Sequence, residues 1–446
     1  GRVTGTVAHA VAVPGTSSLA ALLASLTADA GDQITRTYYD GEGRAVAQVD
    51  ADGYLTTTAY DETAHTRTMV RYATALTSTQ LTALTGRESV AVLVGLLGGN
   101  TANQQSSTTY NADGQVATAT AVDGTVTTNS YNLVGQLLST TVTPTAGQGA
   151  ARTSSATYDA FGDALTRVDG NHATTTYTYN ALGQRITATD ALGNLTYTYY
   201  DADGRVAYTV QGQPSGGTRN ALGNVIAYSY NAFGQVASTR RYASQLTLSG
   251  GSSSGTTLNP VTATLAQVSA AAAALPVSAS DADGLTTYSY TLDGQLANAT
   301  DGQGYQIVYG YDAFGDRTQV QQQLSAPGSA LSAANSTIRT FAYDARGEQT
   351  GETEAVGTAV ARSTRQTYDA FGRVTSVTDG DGHAVTYGYD NLGRQVSTSQ
   401  TVGNVVRAAQ TTYDAFNRVV TQTDALGNVT VYQYNLATHA TIVTTP

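Results

Sequence analysis

The sequence predicts an all-β protein with short helical insertions, in which repetitive antiparallel β-hairpins join into one long β-ribbon. Thirteen times a tyrosine is followed four residues later by glycine, and in eleven of these cases Asp or Asn follows the tyrosine. The tightest copies lie 21 residues apart, as at Tyr158, Tyr179 and Tyr200. The segments between them are rich in Thr and Tyr, which pack well on a pleated surface. A fixed period of this size indicates a repeat protein whose units bury apolar surface against their neighbours.

Each unit carries two turn signals. The first is Tyr-Asp/Asn-x-x-Gly, followed by Arg or Gln, and the second begins with an aspartate eleven residues after the tyrosine, as at Asp169 and Asp379. Asp and Asn stabilise turns through hydrogen bonds to their own backbone, and glycine adopts the positive φ that other residues resist. The predicted structural repeat motif is therefore Tyr158, Asp159, Gly162, Tyr179, Asn180, Gly183, Tyr200, Asp201, Gly204, Tyr311, Asp312, Gly315, Tyr368, Asp369, Gly372, Tyr389, Asp390 and Gly393.

Six Tyr-x-Tyr pairs stand at the end of the strand before the first turn, as at Tyr177 and Tyr179 or Tyr387 and Tyr389. Residues two apart on a strand point to the same face, so both rings of a pair lie on one side of the ribbon. Neighbouring strands are about 4.8 Å apart, and the rings are expected to form ladders. Packing between strands is the preferred interpretation, and stacking of these rings on sugars is the alternative.

Three interruptions are predicted to be helical, at residues 15–30, 76–86 and 261–275. Ser or Thr precedes each apolar run as an N-cap candidate, and Ala and Leu continue the helix. We therefore expect residues 1–446 to form one continuous array cut from a longer chain, with helical or loop insertions near 15–31, 73–106 and 243–281.

Composition argues against several classes of function. The chain has no cysteine, so disulfides and thiolate metal sites are excluded. The net charge is -11 and all 22 basic residues are dispersed arginines, which argues against a nucleic-acid or anionic-membrane partner. The longest apolar run, residues 90–97, is far shorter than the roughly 20 residues of a membrane-spanning helix. The export signal of a secreted protein would therefore lie outside this sequence.

No catalytic residue, cofactor site or metal site is predicted, and the chain is not expected to be an enzyme. The five histidines are scattered, and no Gly-x-Ser-x-Gly elbow of a serine hydrolase is present. Asp-x-Asp-Gly segments, as at Asp379 and Asp381, hint at calcium loops but lack the further oxygen ligands of an EF-hand. Leu192 and Leu426 fill the place of Asp381 in other units, so turn formation is the preferred interpretation of these aspartates.

The motif Tyr-x-Tyr-Asp-x-x-Gly-Arg closely resembles the YD repeat of RHS proteins, over nearly the whole chain outside the insertions. The resemblance implies that the hairpins form a ribbon spiralling into a hollow tube or shell. In this family such shells enclose the toxic C-terminal domain of bacterial RHS and ABC toxins, or form the barrel of teneurins, and other members are wall-associated or surface proteins. Toxin shells close with an Asp-Pro-x-Gly type motif, and this chain contains no Asp-Pro.

The leading functional hypothesis is an extracellular or cell-surface structural protein, whose tube forms part of a large bacterial fibre, filament or adhesin. A wall segment of a toxin-encapsulating shell is the first alternative, and a carbohydrate-binding surface module is the second. The predicted partners are neighbouring repeats of the same or identical chains, with a glycan or cell surface as a further partner.

Overall fold

The computed structural model describes residues 5–8, 32–99, 103–215, 218–248, 257–275, 284–332, 334–402, 405–435 and 440–446. Across these residues, 33 strands form one sheet. Nearly every strand pairs antiparallel with the strands before and after it in sequence, so the chain runs back and forth as a continuous ribbon. The predicted all-β ribbon with short helical insertions is confirmed. The predicted helix at 15–30 lies outside the described residues.

Strands β1 to β11 are Gly5–Ala8, Gln33–Tyr39, Ala45–Val49, Tyr54–Asp61, Thr66–Ala75, Gln104–Tyr110, Val116–Thr120, Val126–Tyr131, Leu137–Thr143, Arg152–Tyr158 and Ala164–Val168. Strands β12 to β22 are Thr174–Tyr179, Arg185–Thr189, Leu195–Tyr200, Val206–Ser215, Thr218–Tyr230, Val236–Arg241, Leu246–Leu248, Thr257–Leu258, Leu285–Tyr290, Leu296–Asp301 and Gln306–Tyr311. Strands β23 to β33 are Arg317–Gln323, Ser336–Tyr343, Gln349–Glu354, Arg362–Tyr368, Val374–Thr378, Ala384–Tyr389, Gln395–Val402, Val405–Tyr413, Val419–Thr423, Val429–Asn435 and Ala440–Thr444.

Within the described residues, three helices interrupt the ribbon: α1 is Ser78–Ala83, α2 is Val90–Leu96 and α3 is Leu265–Ala273. Thr77 and Thr264 begin α1 and α3 with capping boxes, in which the threonine and a glutamine three residues later bond each other's backbone. Helices α1 and α3 lie inside the predicted segments 76–86 and 261–275. Helix α2 lies in the apolar run 90–97. The sequence placed this run in the insertion near 73–106 but did not predict a helix there.

The helices build two apolar cores on an otherwise thin sheet. Helix α2 buries Leu93 against Val49 and Leu55 of strands β3 and β4. Helix α3 buries Val268 in a second cluster with Val210 of β15 and with residues of β16, β18 and β19. The ribbon resumes after each insertion, because β5 pairs with β6 and β17 pairs with β20. The insertions therefore decorate the ribbon and leave it continuous.

Candidate functional site

The first turn of each unit, called here the tyrosine turn, is built around its Asp or Asn side chain. In the turn after Tyr158, Oδ1 of Asp159 accepts hydrogen bonds from the backbone N–H groups of Phe161 and Asp163, both at 2.9 Å. The N–H of Gly162 donates to the carbonyl of Asp159, and this glycine has φ +97°. The residue types of the motif are thus those that the turn requires.

The other motif positions that the sequence singled out share this arrangement. At Asn180, Asp201, Asp312, Asp369 and Asp390 the side-chain Oδ1 accepts from the backbone of the residues two and four positions later. The glycines that close these turns all have positive φ; they are Gly183, Gly204, Gly315, Gly372 and Gly393.

A β-bulge follows every complete tyrosine turn in the described residues. Tyr158 pairs with Ala164, but the preceding Thr157 pairs with Thr166, so Leu165 is an extra residue in the second strand. Thirteen hairpins repeat this shift at their motif tyrosine. A bulge leaves backbone groups outside the regular ladder and bends the strand. Each unit therefore needs another partner for its bulge.

The motif tyrosine of the next unit supplies that partner. The hydroxyl of Tyr179 donates to the carbonyl of Ala164, at 2.9 Å, and Ala164 is the residue that pairs with Tyr158 at the bulge. All thirteen bulges are bridged in this way, by Tyr60, Tyr131, Tyr158, Tyr179, Tyr200, Tyr230, Tyr290, Tyr311, Tyr343, Tyr368, Tyr389, Tyr413 and Tyr434. The sequence predicted that these tyrosines pack between strands with the hydroxyl reaching water or backbone, but it did not identify the carbonyl at the bulge as the partner.

The residue after the turn glycine makes a second connection between units. Nε2 of Gln184 donates to the carbonyl of Gly204 in the next tyrosine turn, at 3.2 Å. Where this residue is arginine, Nη1 of Arg373 donates to the carbonyl of Asp390 at 3.0 Å. The same side chain also bonds its own turn, because Nε of Arg373 donates to Oδ2 of Asp369 at 2.7 Å. A sequence pattern could have revealed this contact. When a complete tyrosine turn begins with Asn, the residue four positions later is Gln, and when it begins with Asp, that residue is often Arg.

Arginines at this place also cover the faces of the following tyrosines. The guanidinium of Arg373 lies 4.7 Å from the ring centre of Tyr389, and that of Arg205 lies 4.6 Å from that of Tyr230. Such contacts are attractive because a cation interacts with the negative ring face. Burial raises the pKa of Tyr230, and the charge of Asp201 raises it further. These rings pack within the wall with their hydroxyl groups bonded.

Two distant parts of the ribbon meet at what we call the seam, formed by Asp52, Arg71, Arg394 and Ala415. Nη2 of Arg394 lies 3.1 Å from Oδ2 of Asp52, although 342 residues separate them. Nε of Arg71 donates to the carbonyl of Ala415 at 2.7 Å, and its Nη2 binds Oδ2 of Asp50 at the same distance. Ala415 is only 2% exposed. The second turn at residues 50–53 thus lies against tyrosine turns near the other end of the described ribbon.

A group of potential metal ligands is formed by Asp379, Asp381 and His383, all of them exposed. Oδ1 of Asp379 accepts from the backbone N–H groups of Asp381 and His383, at 3.0 and 2.8 Å. The hydrogen bond from the His383 backbone holds the pKa of Asp379 below its usual value, against the effect of burial. Hydrogen bonds within its own turn therefore account for the position of the Asp379 carboxylate.

The geometry defines a protein assembled from tyrosine-linked β-hairpins. Three segments match the family model of the RHS Repeat, at residues 158–195, 363–405 and 413–446. The resemblance to the YD repeat of RHS proteins, which the sequence motif indicates, is thus confirmed in these three segments. No protein among the curated sequences matches it. Within the described residues, no helix has the length and apolar character needed to cross a membrane.

Solved structures with a similar fold come from Tc toxin complexes. The crystal structure of TcdB2-TccC3-TEV matches with a TM-score of 0.53 and 14% identity, over 93% of this chain and 22% of that chain. The structure of the Photorhabdus luminescens Tc holotoxin pore matches with a TM-score of 0.40 and 14% identity, over 92% of this chain and 22% of that chain. The chain therefore spans about a fifth of the length of these proteins, and the first of them shows the fold.

Proposed function

We propose that the chain is a section of the wall of an RHS-type shell, with a mechanical role in place of catalysis. The seam is the observation that carries this proposal. A ribbon whose residues 52 and 394 are in contact has returned to its own start, as one winding of a wall must. The tube of a fibre, which was the first functional hypothesis from the sequence, would make the same contact. We favour the shell because the solved structure with a similar fold, TcdB2-TccC3-TEV, comes from a Tc toxin complex.

The two contacts between units explain how such a wall would hold together. Each tyrosine hydroxyl bond, such as Tyr389 to Val374 at 2.8 Å, contributes about 1 kcal/mol on balance. Where Gln or Arg follows the turn glycine, its side chain adds a second bond along the same edge. Because both are repeated in successive units, stability grows with the number of units, as in other repeat proteins.

The same proposal extends to the organisation and location of the chain. Residues 1–446 are taken as one array, which the pairing of β17 with β20 across an insertion supports. A secreted or cell-surface location fits the repeat family and the Tc toxin relatives. The carbohydrate-binding alternative has less support. The hydroxyl groups of the motif tyrosines are hydrogen-bonded within the wall, and arginines cover several of the ring faces that would stack on a sugar.

A cross-linking experiment tests the returning ribbon. The chain has no cysteine, so an introduced pair supplies its only thiols. Ala51→Cys combined with Asn391→Cys places one thiol beside each side of the seam, and a short bis-maleimide should join them within a monomer. Ala51→Cys with Ala232→Cys is the matched control and should remain unlinked. Small-angle scattering of the uncross-linked chain should show a hollow particle. Failure of the first pair to link, with an extended scattering profile, would refute the proposal.

A further inference from the structure

The edge of the ribbon formed by the tyrosine turns carries a row of apolar side chains at the third place after the tyrosine. We call Val134, Phe161, Leu182, Phe233 and Phe314 the tip row; Asp203 and Asp293 occupy the same place in the turns between Leu182 and Phe233 and between Phe233 and Phe314. All five are exposed, and Phe161 and Phe314 are each 93% exposed. Single exposed apolar residues are ordinary, whereas a row of them along one edge is typical of an interaction surface. Neighbouring turns of the row are physically joined, since Gln136 donates to the carbonyl of Gly162.

The seam shows what covers this edge elsewhere in the same chain. Ala415 lies in a tyrosine turn and is buried, and its carbonyl accepts a hydrogen bond from Arg71, which also binds Asp50 of the second turn at residues 50–53. The alanines at the same place in the tip-row turns are exposed, namely Ala160, Ala181, Ala232 and Ala313. Phe416, next to Ala415, is partly covered by Arg418 of the same turn, whose guanidinium lies 5.2 Å from the ring centre. The burial of Phe416 therefore does not show what else covers this edge, whereas the burial of Ala415 does. The cover on Ala415 therefore comes from the opposite edge of the ribbon.

That opposite edge, formed by the second turns, has the apolar groups that a contact with the tip row requires. Leu192 and Leu426 lie in second turns and are exposed. Leu192 occupies a turn in which Asp190 holds the backbone, so the leucine side chain is presented outward on a fixed loop. When the two edges meet, apolar tips on both sides are removed from water, which favours the contact.

Charges of opposite sign also lie near the two edges. Exposed Arg152 and Arg362 pack beside the second-turn glycines Gly170 and Gly380. On the tip row, Asp163 and Asp316 occupy the place that Arg394 fills at the seam. The aspartates that begin the second turns, such as Asp169 and Asp190, hold the backbone of their own turns, so the pairs expected between copies join Arg152 and Arg362 to these tip-row carboxylates, with the signs of the Arg394–Asp52 pair reversed.

We propose that the tip row is an interaction surface for a second copy of this chain, which docks through its second-turn edge. The proposed contact repeats, between two chains, the contact that the seam makes within one chain. It rests on the wall geometry of the proposed function. Because two different surfaces meet, the association is head-to-tail. Such an interface builds a closed ring where the rotation between copies closes, and an open filament where it does not.

Sedimentation velocity on the full chain tests this inference. The wild-type chain should sediment faster as its concentration rises. Phe161→Ser with Phe314→Ser removes two tips, and Leu192→Ser with Leu426→Ser removes the opposing leucines. Each double variant should lose association when alone. A mixture of the two should form heterodimers, because each variant retains the surface that the other has lost. Val92→Ser on helix α2 is the control, since Val92 is exposed but lies on neither set of turns.

Three outcomes would overturn the inference: a wild-type chain that stays monomeric, a leucine variant that still self-associates, or a mixture that does not pair. Because all four substituted side chains are exposed, unchanged circular dichroism and melting temperature should confirm that each variant folds. Failure here is distinct from failure of the proposed function. An intramolecular cross-link in the variant Ala51→Cys with Asn391→Cys, together with a wild-type chain that stays monomeric, would retain the single winding and eliminate the copy-to-copy contact.

Discussion

Arg394 and Asp52 form an ion pair with 3.1 Å between Nη2 and Oδ2, and the two side chains are about equally buried. The same guanidinium binds Asp390 through Nε at 2.6 Å and the carbonyl of Asp414 through Nη1 at 3.0 Å. One arginine therefore joins its own turn, the next turn and a distant part of the ribbon. Its planar fork of five N–H donors is suited to such a task, which a lysine could not reproduce.

The first prediction concerns this arginine. Arg394→Gln should lose the ion pair with Asp52 while keeping an amide able to reach the next turn, as Gln184 does. Leaving the Asp52 carboxylate without its partner should cost about 1–3 kcal/mol. Hydrogen exchange of the amides at residues 50–53 and 414–417 should become faster. Arg373→Gln is the control, because Arg373 makes the same turn contacts away from the seam. Equal effects of both substitutions would contradict the assignment of the seam.

The second prediction tests the hydroxyl bond across the bulge. Tyr389→Phe removes only the oxygen that donates to Val374 and should destabilise the ribbon by about 1 kcal/mol. Tyr387→Phe is the matched control, because the Tyr387 hydroxyl makes no hydrogen bond within the described part of the chain. Chemical denaturation of both variants measures the difference. If the two substitutions cost the same, the motif tyrosine acts through ring packing alone.

The third prediction concerns the turn glycine Gly372, whose φ is +78°. Gly372→Ala should cost roughly 1–2 kcal/mol, because a Cβ disfavours the left-handed conformation. The added atom would also lie 2.6 Å from Oε1 of Glu348, a flexible group that can move aside. Gly41→Ala is the control, because nothing lies within 4 Å of its added Cβ. Thermal melting of the two variants provides the measurement, and equal melting temperatures would refute the turn assignment.

The fourth prediction is a dependence of stability on pH through Glu88, which holds the turn before helix α2. Partial burial acts to raise the pKa of this carboxyl, but hydrogen bonds from the hydroxyl and backbone of Thr85 outweigh it and lower the pKa to about 2. A folded-state pKa below the unfolded value means that the contribution is complete above pH 4.5 and is lost as the pH falls towards 2. Glu88→Gln should reduce the loss of stability over this range in acid titrations followed by fluorescence or circular dichroism.

The fifth prediction addresses Asp379, Asp381 and His383. If turn formation explains these residues, calcium should leave the melting temperature of the protein unchanged. A rise of several degrees that a chelator reverses would show instead that the turn binds the ion. Asp381→Leu, which copies the residue found at Leu192 and Leu426, would then abolish the rise.

The sequence predicts the hairpins well because their causes are local. Asp159 and Gly162 act within one turn, through a side-chain bond to the nearby backbone and a positive φ, and both effects follow from residue type. Helices α1 and α3 were predictable for the same reason, since a threonine cap and a run of Ala and Leu suffice. Helix α2 is rich in Val, a weak helix former, and depends on burying Leu93 against the sheet.

The contacts between units were harder to predict because they depend on register. A tyrosine directly before a turn does not predict a bulge fifteen residues earlier in the chain. Yet the Tyr179 hydroxyl donates to the carbonyl of Ala164 at that bulge. The seam is harder still. Nothing in the residues near Asp52 distinguishes it from other second-turn aspartates, and only the accumulated twist of the sheet brings Arg394 beside it.

The bond between Tyr290 and the carbonyl of Val236 spans 54 residues, whereas the equivalent bond at Tyr311 spans 15. The joint is the same whether the intervening loop is short or contains helix α3. A segment added at this junction, between residues 241 and 284, would leave the tyrosine joint intact. Replacement of the segment that is there would also uncover Val210 and Val225, so a grafted domain would have to supply an apolar face in place of helix α3.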